Sequence, residues 1–305
     1  MIRVILVMLF VIISISGFSQ TDTEFWFAAP EIDSTHADSS IIRFASINPV
    51  DVTVSIPANS SFEPITFHIA ANSDAMLDLN KIGTVNYKNA IENTAYDIPV
   101  NKGIHIVATD KIEAYYEVKT LPNSEVFALK GKNSLGKLFY ANFQNYWHNK
   151  YPILSDGDKT MEFGTQDSLP LPFAVDDYQD QVASYSWSSF DIVATEDGTE
   201  INITPTNPIV SNANTFDSYG FVTGGAFHPA NVTYTIKLNK GQTYSARQVW
   251  KNPKKSIGGT KIEVTNATGH NIAVTCKEDG LVSWNHDNSQ IYLNPTDNNQ
   301  TNLYD

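Results

Sequence analysis

The chain has 305 residues, 42% of them hydrophobic and only 17% charged, with one cysteine and a formal net charge of −13. At roughly 100–200 residues per domain this length suggests two domains, and a single cysteine excludes an intrachain disulfide framework. Twenty Lys+Arg against thirty-three Asp+Glu, with no basic block, exclude a nucleic-acid backbone or an anionic membrane surface as the partner.

The first residues read as a secretory signal peptide, residues 1–19. Arg3 precedes the apolar run Val4 to Ile15, and the small residues Ser16, Gly17 and Ser19 follow. The run is too short for a membrane span, which needs about 20 apolar residues, so no span is expected after cleavage near Ser19 or Gln20. The remaining chain reads as all-β. In residues 20–130, Ile41 to Ile47 lead through Asn48-Pro49 into Val52, Val54 and Ile56. Phe67 and Ile69 are followed across Asn72-Ser73-Asp74 by Leu77 and Leu79. Ile104, Ile106 and Ala108 are followed across Asp110-Lys111 by Ile112, Ala114, Tyr116 and Val118. A period of two places these apolar residues on one sheet face, and the turn chemistry between the runs reads as hairpins.

Residues 131–187 differ in composition: Tyr140, Phe143, Tyr146, Trp147, Tyr151, Tyr178, Tyr185 and Trp187 occur there with several prolines. The segment is too aromatic for a flexible linker and is expected to pack between two modules. Residues 188–285 repeat the earlier pattern. Phe190 to Pro205 match the first pair of runs, Tyr234 to Arg247 the second, and Gly259 to Val264 with Asn271 to Cys276 the third. The offsets drift from about 149 to about 167 residues, which reads as an internal duplication. The expected architecture is two tandem antiparallel β-sandwiches joined through the aromatic segment, since each apolar face needs a second layer. A β-propeller is the alternative, although its blades would repeat every ~40–50 residues. Residues 286–305 form a polar tail.

Several segments resemble the family named for the N-terminal domain of the IgG Fc-binding protein. They are Thr23-Glu-Phe-Trp-Phe-Ala-Ala-Pro30, Gly103 to Tyr115, Asn123 to Leu129, Leu135 to Tyr140, Phe190 to Thr206, Leu238 to Tyr244 and Gly258 to Ile262. The resemblance spans about Thr23 to Trp284. It implies a secreted or surface-displayed module of adhesion or ligand binding, common in bacteria of the Bacteroidetes type. It carries no residue-level ligand site. Members continue past the second copy with further strands and often a cysteine pair, whereas this chain ends on a polar tail, so a truncated product or a module exported alone is the expectation.

The residues themselves show no Gly-x-Ser-x-Gly elbow, His-Glu-x-x-His, phosphate-binding Gly-Lys-Ser/Thr or EF-hand loop. Glu196-Asp197 precede Gly198 and read as a turn. Cys276, in an alternating strand, reads as a small buried side chain. The expected role is therefore non-catalytic binding of a protein or glycan at the cell surface, without a cofactor. Candidate ligand-binding residues are Tyr146, Trp147, Tyr151, Tyr178, Tyr185 and Trp187, because such rings supply contact area at low entropic cost. Asp156, Asp158, Asp176, Asp177 and Asp180 offer hard oxygen ligands for calcium. Two alternatives stand beside this reading: a carbohydrate-active enzyme using Asp176, Asp177 and Asp180, and a surface-fibre subunit with an open edge strand. The sequence sets no oligomeric state.

Overall fold

The computed structural model describes residues 21–31, 37–79, 88–120, 124–143, 146–147, 184–185, 187–216, 222–250, 255–265, 270–279 and 301–304. Residues 1–19, where a signal peptide is expected, lie outside them. The fold is all-β, as expected, and helical structure among the described residues is confined to single turns such as α1 (Lys88–Ile91). None of the described helices is long and apolar enough to cross a membrane.

The first half is organised by one strand. β6 (Ile104–Thr120) runs 17 residues. Its first part pairs with β1 (Asp22–Phe27) and β3 (Val50–Ser55), and its second with β2 (Ala37–Ser46) and β7 (Ser124–Leu129). β4 (Ile65–Ile69) pairs with β3, and β5 (Ser73–Asp78) with β2. The result is a nearly closed, barrel-like sheet with two layers, β4-β3-β6-β1 and β5-β2-β6-β7. Ile104, Ile106, Ala108, Ile112, Ala114, Tyr116 and Val118 are all buried. The even-numbered face of β6 thus faces the core from Ile104 to Val118, apart from the partly exposed Asp110. Phe27, Tyr116 and Phe127 meet at centroid distances of 4.8, 5.3 and 5.5 Å. Such tilted pairs each add about 0.5–1.5 kcal/mol beyond area burial.

Two expectations about turns are corrected. The Asp110-Lys111 step is no hairpin: β6 passes straight through it. A two-residue hairpin loop needs positive φ, neither residue has it, and the in-out parity from Ala108 to Ile112 is unbroken. The turns at Asn48-Pro49 and Asn72-Ser73-Asp74 reverse the chain without pairing the strands they join. β2 and β3 belong to different layers, as do β4 and β5. Alternation and turn chemistry are the same for a hairpin and for a corner between layers. What decides is that the apolar face of each layer must be covered by the other.

In the second half, β11 (Trp187–Ala194), β16 (Thr243–Arg247), β18 (Ile272–Asp279) and β19 (Thr301–Tyr304) form one sheet, ordered β16-β11-β18-β19. β15 (Tyr234–Leu238), β12 (Thr199–Thr204), β17 (Lys261–Val264) and β8 (Leu138–Tyr140) form the other, ordered β15-β12-β17-β8. Phe190, Ile192, Ile201, Ile203, Tyr244, Ile262 and Ile272 lie in the core between them. These are packed layers that exchange strands at corners, not consecutive propeller blades. The orders coincide with those of the first half strand for strand, except that β17 and β18 together stand where β6 is continuous. Ile42 opposes Leu77 and Tyr116, while Ile192 opposes Tyr244 and Val274. The corner residues Asn72 and Gly241 both have positive φ, 53° and 75°. β8 comes from the 131–187 segment and β19 from the polar tail, and both join second-half sheets.

Every residue of β11 and β16 is buried, because the face turned away from their own core meets the first half. Trp26, Ala28, Val193 and Ala273 form a small apolar cluster there. The segment from Asn93 to Gly103 lies along β16, with bridges Tyr96↔Ser245 and Val100↔Thr243. The Gly103 N–H donates to the Gly241 carbonyl at 2.9 Å. A Cβ at Gly103 would stand 2.5 Å from Val193 Cγ2 and 2.6 Å from that carbonyl oxygen, so the backbones meet where only glycine fits. At the same seam Asp97, with φ 61°, accepts hydrogen bonds from His228 Nε2 (2.7 Å), the Tyr244 hydroxyl (2.7 Å) and the Asn212 N–H (2.9 Å). The Arg247 guanidinium lies 4.8–5.2 Å from the ring centroids of Trp187, Tyr96 and Phe216.

Candidate ligand-binding cleft between the two halves

β1 sends Phe25 and Phe27 into the first core, so Glu24 and Trp26 point the other way, toward the second half. Pairing with β6 sets Trp26 opposite His105. The two rings stack at 3.9 Å with 16° between planes. Glu24 Oε1 accepts from Trp26 Nε1 and from His105 Nε2, each at 3.1 Å. Lys132 Nζ approaches Asp22 Oδ1 and Glu24 Oε2, both at 3.9 Å. Lys132 is placed by a 3-10 turn, Gly131–Ser134, whose Lys132 N–H donates to Asp22 Oδ2 at 2.7 Å. Gly131 sits at φ 57°, and a Cβ there would stand 2.4 Å from Asp22 Cβ.

The opposite wall is made by second-half corners. The turn after β11 carries Thr195, Glu196 and Asp197 and closes at Gly198, φ 68°. The turn after β15 carries Lys240 and closes at Gly241. The two turns are tied together: the Lys240 N–H donates to Asp197 Oδ1 at 2.9 Å, and the Gly198 N–H to Asn239 Oδ1 at 3.1 Å. Thr195 Oγ1 donates to the Asn271 carbonyl at 2.8 Å. His270 Nε2 stands 3.6 Å from Glu196 Oε2. Lys240 Nζ lies 5.8 Å from the Trp26 ring centroid, reaching across from one half to the other. Between these walls is an open cleft of about 380 Å³, with Leu135 completing the lining. Trp26 is also a wall of a smaller hollow of about 60 Å³, between Phe127–Lys130 and Ala273–Thr275.

Burial alone would raise the Glu24 carboxyl. The hydrogen bonds from Trp26 and His105, with the charges of His105 and Lys132, outweigh it and hold the group below its ordinary range. Burial pushes the His105 ring down, against the pull of Glu24. Glu24 is therefore a fixed acceptor at neutral pH, unsuited to donating a proton as a general acid. The cleft offers carboxylates, ammonium groups, an amide and an apolar edge, which is chemistry for holding a polar ligand.

This site was not among the sequence candidates. Tyr151, Tyr178, Asp156, Asp158, Asp176, Asp177 and Asp180 lie outside the described residues. Tyr146 and Trp147 form β9 and pair antiparallel with Ser184 and Tyr185 of β10, with Tyr185 opposite Tyr146. Trp187 is 5% exposed and stacks under Arg247. Among the described residues no three His, Cys, Asp or Glu side chains are grouped to hold a metal. Cys276 is partly buried against the second core. The cleft draws instead on the segments that carry the family resemblance. Glu24 and Trp26 come from the first, His105 from the second, Leu135 from the fourth, Thr195 and Glu196 from the fifth, and Lys240 from the sixth.

A model of the IgGFc binding protein family matches residues 145–300, just over half of the chain. The chain belongs to the IgGFc binding protein family. This family comprises binding domains, not enzymes, and its match takes in the second half with β11, β12, β15 and β16. No curated protein matches the chain. Among solved structures, vicilin from hazelnut, Corylus avellana, is 10% identical, with 80% of this chain and 69% of that chain covered at a TM-score of 0.21. A protein from Parabacteroides distasonis is 6% identical, with 85% and 83% covered at a TM-score of 0.17. Likenesses this distant carry no weight for an IgGFc-binding family member's fold or function.

Proposed function

We propose that this protein is an exported, non-catalytic binding module of the cell surface, whose ligand is a glycoprotein or a surface polysaccharide. The observation that carries the reading is the convergence of the family-like segments: five of them, distant in sequence, supply residues to one cleft or to the ring stack behind it. Membership in a family of binding domains supports a role in binding. Export rests on the apolar leader Val4 to Ile15 and its flanking residues. The coincident strand orders support the further reading that the two halves are copies of one module. On that reading the cleft arose where the copies were fused.

The test is capture by the purified mature chain, in biolayer interferometry, of immobilised mucin glycoprotein, IgG Fc fragment and bacterial capsular polysaccharide. Saturable binding to at least one is expected. Absence of binding to all three overturns the reading.

A further inference from the structure

We propose that the cleft between the halves is a saccharide site and that it accepts an uncharged sugar residue; this rests on the binding-module reading above and names its ligand class. The argument turns on which polar groups in the cleft are already engaged. Glu24 accepts from Trp26 and His105 and faces Lys132. The Thr195 hydroxyl is used on the Asn271 carbonyl. Lys240 is different. Its ammonium is exposed and meets only the Trp26 ring at 5.8 Å, with no carboxylate partner among the described residues. The half-buried Asn271 carboxamide has no hydrogen bond to the described residues either. The Lys240 ammonium and the Asn271 amide N–H groups are thus left as donors, which call for ligand oxygens, while the Asn271 side-chain oxygen and the Glu196 carboxylate are left as acceptors, which call for ligand hydroxyls.

Charge then decides which oxygens. Glu24 and Glu196 line the cleft together with the two ammonium groups, Asp22 stands 3.9 Å from Lys132 Nζ and Asp197 lies in the turn bonded to the Lys240 backbone, so carboxylates outnumber ammonium groups there, and the whole chain carries −13. A carboxylate or phosphate would enter against this field, whereas hydroxyl and carbonyl oxygens would not. Each sugar hydroxyl can also donate to the remaining lone pairs of Glu196. A cationic side chain would find Glu24 already engaged by Trp26, His105 and Lys132, and two ammonium groups in the way. A cleft of about 380 Å³ is at the lower end of the range for small-molecule sites, roughly 300–1,000 Å³. One face of Trp26 is covered by His105, and Lys240 stands over the ring, so it supplies an apolar edge. The sugar would be held by directional hydrogen bonds instead of ring stacking.

The experiment is isothermal titration and ligand-observed NMR on the mature chain. The probes are N-acetylglucosamine, galactose, mannose and fucose, with N-acetylneuraminic acid, inorganic phosphate and a lysine-rich peptide as charged comparisons. At least one neutral sugar should bind more tightly than every charged probe. Lys240→Ala should weaken it about tenfold or more and Asn271→Ser about two- to tenfold, as expected for losing a charged and a neutral hydrogen bond. Circular dichroism and urea unfolding will show whether both variants remain folded, and Lys240→Met provides a second, isosteric removal of the charge. Preference for an anion or for the peptide, or neutral-sugar binding unchanged in the variants, overturns the inference. If mucin glycoprotein is captured but neither free sugar nor the variants reduce capture, the cleft assignment fails while the binding-module reading stands. If neither mucin glycoprotein, IgG Fc nor polysaccharide is captured, that reading fails as well.

Discussion

Asp97 joins the halves at a point where little substitutes for it. Its carboxylate is 11% exposed. It accepts three hydrogen bonds, two from second-half side chains and one from a second-half backbone amide. Burial would raise its carboxyl, but the bonds from His228, Asn212 and Tyr244 outweigh that and hold it below its ordinary range. Burial pushes the Tyr244 and Tyr234 hydroxyls up, so both stay protonated, 3.0 Å apart. Removing one member of such a buried set costs about 3–5 kcal/mol. Alanine at φ 61° adds about 1–2 kcal/mol of backbone strain that aspartate and asparagine avoid more readily. Asp97→Ala should therefore destabilise by roughly 4–7 kcal/mol. Asp97→Asn keeps an acceptor and the turn conformation, and should lose about half as much. Urea unfolding at pH 7, followed by tryptophan fluorescence, reads the midpoint. With a slope near 3 kcal/mol/M, the alanine variant should shift by about 1.3–2.3 M. A shift below about 0.2 M for Asp97→Ala would refute the claim that this buried carboxylate locks the seam.

The stack in the cleft has a pH signature. Because burial depresses the His105 ring, the folded chain binds fewer protons than the unfolded chain as pH falls from about 6.5. Its contribution is present above that value and is lost as pH falls toward the depressed one. The urea midpoint should drop over this window, and less steeply in His105→Phe, which retains a ring on Trp26 between Glu24 and Lys240; an equal slope in both proteins would contradict the assignment. Gly103→Ala should cost about 2–4 kcal/mol by overpacking against Val193 and weakening the bond to Gly241, and a thermal midpoint equal to that of the parent would count against so tight a contact. Glu200→Gln, at an exposed cross-strand pair 3.3 Å from Lys237, should change stability by less than about 1 kcal/mol. A larger loss by chemical denaturation would show that surface pairs matter more here than their exposure implies.

Much of the fold was legible because alternation is local. Val52, Val54 and Ile56 announce a half-buried strand, and the same pattern recurs at Ile201 and Ile203. Pairing was less legible. Nothing near Asn72 or Gly198 tells a hairpin from a corner between layers, since that choice depends on which distant strand covers the apolar face. Asp110-Lys111 is good turn chemistry and divides β6 into two strands on local grounds, although the parity from Ala108 to Ile112 fits a single strand. The cleft was hidden for the same reason, as Glu24 and Lys240 meet only after both halves have folded. One signal did exist. Phe25 to Ala28 are apolar without alternation, as are several successive positions near Ile192, and unbroken runs mark strands covered on both faces. They pointed to the seam, while composition drew attention to the aromatics of residues 131–187.

The central claim is that ligand is held in the cleft between the halves. Hydrogen–deuterium exchange of the mature chain, with and without whichever of mucin glycoprotein, IgG Fc or polysaccharide it captures, tests this most directly. The account predicts slower exchange in peptides spanning Glu24–Trp26, Lys132–Leu135, Thr195–Glu196 and Lys240, with the remaining surface unchanged. Protection confined to other surfaces, with these peptides unaffected at saturation, would contradict it.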